Sequence, residues 1–476
     1  MAAWSALLSA LSSCAPLLVW QGTDPSTDRK LALFEHGGRQ YLVVDGIEGR
    51  TYRSIALQGV AVGRDRTVAY PALRTDGWVV VIDGREGPSY AGIGSVVMSP
   101  AGRVAYSAES SLGWRVVLDG RESAPFDRLV PETLDFGLDE RLSYVMGRGG
   151  RVYVVIEGRT SAAADEVTEL VRSWDTGAIA YFVHKGKRCS IVRELAEVSA
   201  LDFEQCRGLI ARGGRLGFTA WRDGCVRAYV DGVEVPGSCG VDPSSLRFSA
   251  TGSTLSWASE RADGVWLNVG ERTFGPFESA EPAEFTPGCD ERESTCGSPP
   301  VTGAEAWAAV VRTGGRAQIL VDGSTRATHR AASGLVMGPD GQTLAYQAAD
   351  DSGPFVSFRG RAFPHDVLLT GTLVVSLDGR HVGYVAGRRE SRTLHVFVDG
   401  APSLAVGFDE LAAELVRRPD PRTIPTKLRA LVRAELARVA QASDVRNSRR
   451  SAKQSRSMAL RPEAAAAGTP PPGSTQ

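Results

Sequence analysis

Apolar and polar positions alternate in short runs along most of this 476-residue chain, and turn residues separate the runs. The clearest passage is Trp114-Arg-Val-Val-Leu-Asp119-Gly120-Arg-Glu-Ser-Ala-Pro-Phe126. An alternating run enters an Asp-Gly pair, and a second run leaves it with an aromatic residue seven positions after the Asp. Period-two alternation between turn signals predicts half-buried β-strands. Asp-Gly predicts a tight hairpin, because a type I′ turn needs positive φ at both central residues and glycine has no Cβ to clash there. The phrase recurs at Asp45-Gly46, Asp83-Gly84, Asp231-Gly232, Asp322-Gly323 and Asp399-Gly400, with looser versions at Glu157-Gly158, Gly270-Glu271 and Arg359-Gly360. These aspartates recur because the turn requires them, so they are read as structural and not as a ring of catalytic carboxylates.

A second phrase sets the period: a branched apolar residue, a small residue and an aromatic. It reads Val68-Ala69-Tyr70, Val104-Ala105-Tyr106, Leu142-Ser143-Tyr144, Ile179-Ala180-Tyr181, Leu216-Gly217-Phe218, Leu255-Ser256-Trp257, Leu344-Ala345-Tyr346 and Val382-Gly383-Tyr384. Glu305-Ala306-Trp307 is an imperfect copy and Leu31-Ala32-Leu33 a first one, which makes ten units spaced 36 to 39 residues apart except for a gap of 50 between Trp257 and Trp307. That gap holds an insertion, roughly Thr286 to Gly303, carrying Cys289 and Cys296. Each unit reads as four short strands; in the third these are Ser95 to Ser99, Arg103 to Ala108, Trp114 to Leu118 and Glu122 to Leu129. No helical period interrupts them before residue 408. A lone four-stranded sheet leaves both faces wet, whereas stacking such sheets around an axis buries them, so the pattern predicts an all-β propeller of about ten blades. The small residue of each triplet would face the closely packed neighbour, and its large partners would fill the opposite gap. With no linker between halves, one large ring is favoured over two five-bladed rings.

Val81 to Tyr90, read as Val-Asp-Gly-x-Glu-Gly-Pro-x-Tyr, and Ser99 to Tyr106, read as Ser-Pro-x-Gly-x-x-x-Ala-Tyr, resemble bacterial WD40-like propeller repeats of the TolB-like kind. The resemblance spans about residues 16 to 408 and implies the fold. It implies no single activity, since such propellers serve as scaffolds, binding modules and enzyme accessories. The Gly-His and Trp-Asp signatures of eukaryotic WD40 repeats are missing.

The ends of the chain differ from its body. Residues 1–14 are apolar, and Leu11-Ser12-Ser13-Cys14 resembles a lipobox, which implies a lipid on Cys14 and export as a periplasmic or cell-surface lipoprotein. No Lys or Arg precedes the apolar run, so the positive region of a signal peptide is missing; a leader that packs or frays, in a cytoplasmic protein, is the alternative. The other six cysteines fall into local couples, Cys189 with Cys206, Cys225 with Cys239 and Cys289 with Cys296. Disulfides there would suit an oxidising compartment, although six cysteines permit fifteen connectivities and unpaired thiols remain the alternative. The propeller is assigned to 15–408, a helical extension to 409–442 and a disordered basic tail to 443–476. Leu428, Leu431, Val432, Leu436 and Val439 form one side of the helix, which suits docking on the propeller better than a membrane surface because Glu435 falls within the stripe. From Arg417 to Arg461 thirteen Lys/Arg face three Asp/Glu, a balance of +10 that leaves the rest of the chain at −11 within a total of −1. A mildly acidic body does not suit a dedicated nucleic-acid binder, so no nucleic acid is expected as partner.

No motif supplies a catalytic constellation. Gly87-Pro-Ser89-Tyr-Ala91 lies in a hairpin rather than on a strand-to-helix elbow, no phosphate-binding Gly-x-x-x-x-Gly-Lys-Ser/Thr occurs, and the six histidines are scattered. His365-Asp366 reads as a surface pair before it reads as a base with its orienting acid. No metal site and no cofactor are expected. Asp290, Glu291, Arg292 and Glu293 lie between Cys289 and Cys296 and lack the spaced oxygen ligands of a calcium loop, so they read as a solvated, disulfide-pinned surface loop, which as the most individual loop is the first candidate for a partner surface. The expectation is a monomeric, non-catalytic, exported propeller whose rim loops bind a protein or a glycan. The alternative is a glycan lyase or hydrolase with a site in the central channel, built from one residue per blade and therefore invisible to local motifs.

Overall fold

The computed structural model describes residues 16–24, 27, 29–173, 175–198, 203–286, 305–376, 378–388, 393–406, 428–429, 431–433 and 435–436. These residues form ten antiparallel sheets in succession, each a meander with four strand positions in chain order. In four of them the first position is split into two short pieces on the same neighbouring strand. Such a succession is that of a β-propeller, and the sheets are its blades. Two compact units are distinguished, Met1–Ala332 with Pro339–Gln342, and Ser333–Gly338 with Thr343–Gln476. The first carries the first eight blades, and the second carries the last blade with most of the ninth.

The third blade shows how sequence becomes sheet. Its strands β1 (Gly92–Met98), β2 (Val104–Ser110), β3 (Gly113–Leu118) and β4 (Arg121–Glu122) surround the Asp119-Gly120 turn. The last of these is shorter than its alternation predicts. After two ladder pairs Ser123 takes over, its N–H donating to Val116 O and its hydroxyl accepting from Val116 N. Phe126 then returns to pair with Trp114, and Arg128–Leu129, expected to close this blade, opens the next one by pairing with Gly147 and Met146. Proline at position 125 has no N–H to continue a ladder, which fits the break.

Blades pack as the triplets predict. Ala69 is buried against Val104 and Tyr106 of the following blade, Ala105 against Leu142 and Tyr144, and Ala180 against Leu216 and Phe218. Inside the second unit Ala345 does the same with Val382 and Tyr384. The small residue lets the next blade approach, and the large residues of that blade fill the space. The first strands of successive blades lie side by side, as Glu166–Arg172 does against Cys206–Arg212, which places them innermost.

Two triplets have a different register from the one their sequence suggests. Each turn residue donates its backbone N–H to the carbonyl of the first triplet residue, and at Asp45 and Asp322 these partners are Lys30 and Trp307. The first copy is therefore Lys30-Leu31-Ala32 and the eighth Trp307-Ala308-Ala309. Leu31 occupies the small position of the first blade and faces the second, in a cluster with Val68 and Tyr70.

The helix contributes residues 428–429, 431–433 and 435–436 to the described set. Leu428, Val432 and Leu436 are buried on Val374, Val385, Val396 and Val398 of the last blade. A Cβ at Gly383 would meet Val432 Cγ1 at 2.6 Å and Leu436 Cδ1 at 2.9 Å. Gly383 is the small residue of the last triplet, so the helix covers the face that a following blade covers elsewhere. A terminal repeat needs such a cap, because its outer face has no neighbour to exclude water. The leader 1–14 and the tail 443–476 lie outside the described residues.

Candidate functional site

The turn aspartates are structural in a further way than their sequence implies. All six Asp-Gly pairs are left-handed, the aspartates at φ 46° to 51° and the glycines at 78° to 88°. Each carboxylate also accepts the backbone N–H at the start of its blade's second strand. The distances are 2.8 Å from Lys30 to Asp45, 2.9 Å from Val68 to Asp83 and 3.1 Å from Val104 to Asp119. They are 2.9 Å from Leu216 to Asp231, 3.0 Å from Trp307 to Asp322 and 2.9 Å from Val382 to Asp399. Glu157 and Glu194 serve Leu142 and Ile179 alike. The other carboxylate oxygen often takes the basic side chain just before the triplet, as with Arg29 on Asp45, Arg103 on Asp119 and His381 on Asp399. The Lys30 N–H and the Arg29 guanidinium hold the Asp45 carboxyl below its ordinary range. At Glu194 burial opposes ionisation, yet the bonds from Arg141 and Ile179 N–H bring its carboxyl below that range too.

Disulfides join Cys189 to Cys206 and Cys225 to Cys239, with Cα atoms 6.2 Å and 5.7 Å apart. The first ties the third strand of the fifth blade to the first strand of the sixth, and the second pins the connection leaving the sixth. Cys14, Cys289, Asp290, Glu291, Arg292, Glu293 and Cys296 lie outside the described residues. The structure gives the remaining candidates local roles. Ser89 Oγ donates to Asp76 O at 3.1 Å, inside a hairpin. His365 packs edge-on against Phe397 and Tyr384 and lies 2.8 Å from the Tyr384 hydroxyl, and burial lowers its pKa. Among the described residues no three His, Cys, Asp or Glu side chains gather as metal ligands.

Two concave places stand out among the described residues. One, of about 350 Å³, lies where the first strands of the second to fifth blades end, lined by Arg64, Asp135, Arg172, Met98, Phe136 and Ser173 among others. Arg172 is held there by Ser143 Oγ at 2.7 Å. Burial presses the pKa of its guanidinium down, and Asp139 and Asp135 oppose that. Among the described residues its lining has one carboxylate, Asp135, and neither histidine nor tyrosine.

The other is an open cleft of about 610 Å³ on the rim of the first two blades. Arg39 opens the first blade's third strand, Arg50 and Arg53 come from the connection to the second blade, and Arg74 from the turn between that blade's second and third strands. Buried Tyr52 forms the floor and donates its hydroxyl to Glu86 Oε1 at 3.0 Å. Arg74 Nη1 lies 3.0 Å from Glu86 Oε2, and Arg50 Nη1 lies 3.4 Å from Oε1. Burial raises the Glu86 pKa, but the bonds from Tyr52, Arg74 and Arg50 outweigh it and keep the carboxylate ionised below its ordinary range. Burial, reinforced by Glu86, pushes the Tyr52 hydroxyl well above its ordinary value. Local sequence reasoning missed this cluster because its arginines are spread over residues 39 to 74 and share no motif.

No protein-family model and no curated protein matches the chain. Among solved structures it is similar to a eukaryotic initiation factor, at TM-score 0.37 and 9% identity over 79% of this chain and 94% of that one. It is also similar to a prolyl endopeptidase, at TM-score 0.26 and 14% identity over 63% and 55%. A third likeness is to the β-propeller domain of the trilobed protease from Pyrococcus furiosus, at TM-score 0.21 and 8% identity over 73% and 94%. The chain is thus a β-propeller protein by its own sheets, and no activity passes to it from these structures.

Proposed function

We propose that the chain is a non-catalytic binding module of the TolB-like propeller kind, exported, attached to a membrane through a lipid on Cys14, and presenting its rim to a protein or glycan ligand. The observation that carries the binding reading is the rim cleft of the first two blades, where arginines are exposed beside a carboxylate already neutralised by its own neighbours. The two disulfides suit an oxidising compartment and support the export reading. A glycan hydrolase of the usual kind requires two carboxylates flanking the scissile bond. The lining of the inner-strand cavity includes one carboxylate among the described residues, Asp135, so the enzymatic alternative draws no support from it.

The test has two arms. The full chain is screened against immobilised glycans and cell-envelope proteins, with product release followed in parallel. Saturable binding without turnover is the expected result, and turnover of a bound glycan would replace the module with an enzyme. For the anchor, cells are fed a palmitate analogue and labelling of the native protein is compared with that of Cys14→Ser. Loss of label in the variant is expected, whereas equal labelling would remove the lipoprotein reading.

A further inference from the structure

The propeller supplies its own internal control for the rim cleft. The contact between a tyrosine and a glutamate of the next blade repeats, since Tyr90 donates to Glu122 Oε1 at 2.8 Å just as Tyr52 donates to Glu86. An arginine closes the second pair as well, Arg115 Nη1 lying 3.0 Å from Glu122 Oε2. The tyrosine, the glutamate and one arginine are therefore part of how blades are joined. Arg50 and Arg53 are not. Counted from the bridging residue of each connection, their places are taken by Pro88 and Ala91 after the second blade, and by Ala124 and Asp127 after the third. The fold is built there without a cation.

What the blades do not need, the cleft keeps exposed. The side chains of Arg39 and Arg53 are solvent-facing, and Arg50 is 69% exposed and approaches Glu86 at 3.4 Å. Concentrating guanidiniums costs free energy through mutual repulsion unless something anionic offsets it. They do so here on a body whose overall balance outside the basic tail is −11. Guanidinium forks bind carboxylate, sulfate and phosphate oxygens in bidentate fashion. The rest of the lining narrows the class. Thr51, Thr75 and the Gly49 backbone add only polar groups, and the Tyr52 ring is buried. Protein partners usually meet an apolar patch core, and single-stranded nucleic acids usually meet exposed aromatic rings. Neither feature lines this cleft. A ligand polar throughout, with several hydroxyls and regularly placed acid groups, fits best.

We infer that the rim cleft lined by Arg39, Arg50, Arg53 and Arg74 is the binding site for an acidic oligosaccharide, its uronate carboxylates paired with the guanidiniums of Arg39, Arg50 and Arg53 and its hydroxyls with the threonines and the Gly49 backbone, while Arg74 stays paired with Asp76 and Glu86. This rests on the binding-module reading and names the ligand class for it.

The test is calorimetric titration of the full chain with an oligogalacturonate, alongside a neutral oligosaccharide of the same length, inorganic phosphate and a short polyglutamate peptide. The variants are Arg39→Gln with Arg53→Gln, which leave the Tyr52–Glu86–Arg74 contact intact, and Arg326→Gln as an exposed arginine elsewhere. Expected are saturable binding of the uronate, a loss of about tenfold or more in affinity for the double variant with its thermal midpoint unchanged, and no change for Arg326→Gln. Equal binding of polyglutamate, or of phosphate alone at the same concentration, would overturn the sugar assignment. An unchanged uronate affinity in the double variant would overturn the site. If a neutral glycan or a protein binds with no effect of the two substitutions, the cleft inference falls while the module reading stands.

Discussion

At the scale of single residues, the turn aspartate has two separable duties. It must adopt positive φ, and it must accept the N–H that opens its blade's second strand. Asparagine tolerates the left-handed region and keeps an acceptor oxygen, whereas alanine has neither advantage. Asp83 separates these duties cleanly, because its Oδ1 accepts Val68 N–H at 2.9 Å and its φ is 46°. Asp83→Asn should cost under ~0.5 kcal/mol and Asp83→Ala about 2 kcal/mol, the sum of a lost hydrogen bond and the φ penalty. Urea midpoints at constant slope would measure both, and equal costs would mean that the hydrogen bond contributes nothing. The cleft arginines belong to this scale as well. Their types were plain in the sequence but their convergence was not, because nothing local distinguishes Arg53 from any other exposed arginine.

Elements bring in dependence on neighbours. The helix on the last blade is a substitute for a blade, and at Gly383 the two leave no room for a side chain. Gly383→Val would suit a strand by propensity but would overpack the cap, at a cost of roughly 1–3 kcal/mol. Leu436→Ala alone should cost about 2–4 kcal/mol by leaving a cavity. Combined, the two should cost clearly less than their sum, since the valine fills what the leucine vacates. Strict additivity of thermal midpoints would show that the helix does not rest on this glycine. The disulfides act on the same scale. They close loops of 17 and 14 residues, so Cys189→Ser with Cys206→Ser, or Cys225→Ser with Cys239→Ser, should each lower stability by about 3 kcal/mol. Denaturation with and without reductant checks this: reductant should destabilise the native chain by clearly more than a variant lacking these four cysteines.

For the whole molecule, the repeated triplet turns one chemical property into a global one. Burial raises the pKa of the Tyr70, Tyr106, Tyr144 and Tyr384 hydroxyls, and that of Tyr181 to about 12, from an ordinary value of 10.0. A raised pKa means that the fold favours the neutral phenol. That stability is complete below pH 10.0 and is lost as pH rises through the folded values. Alkaline titration should therefore release phenolate absorbance together with loss of near-ultraviolet dichroism, in one cooperative step above pH 10.0. Phenolate appearing at the ordinary value with the dichroism intact would contradict it. On the acid side Glu86 and Glu194 have lowered values. Their contribution is present above the ordinary 4.5 and disappears as pH falls through the depressed range.

Hairpins, strand alternation and the repeat period were legible in the sequence because they depend on residues within one or two turns of each other. Asp119-Gly120 bends as it does whatever surrounds it, and Val104-Ala105-Tyr106 alternates its faces in any sheet. The tertiary structure decided the rest. It moved the first and eighth triplets to Lys30 and Trp307, since register is set by the bonds to Asp45 and Asp322 and not by the most tyrosine-like residue. It handed Arg128–Leu129 to the fourth blade and gave the last blade a helix for a neighbour. It also gathered Arg39, Arg50, Arg53 and Arg74 around Tyr52 and Glu86. Contacts of this kind join residues a blade apart, where backbone geometry transmits no local signal, and only packing one sheet against the next brings them within reach.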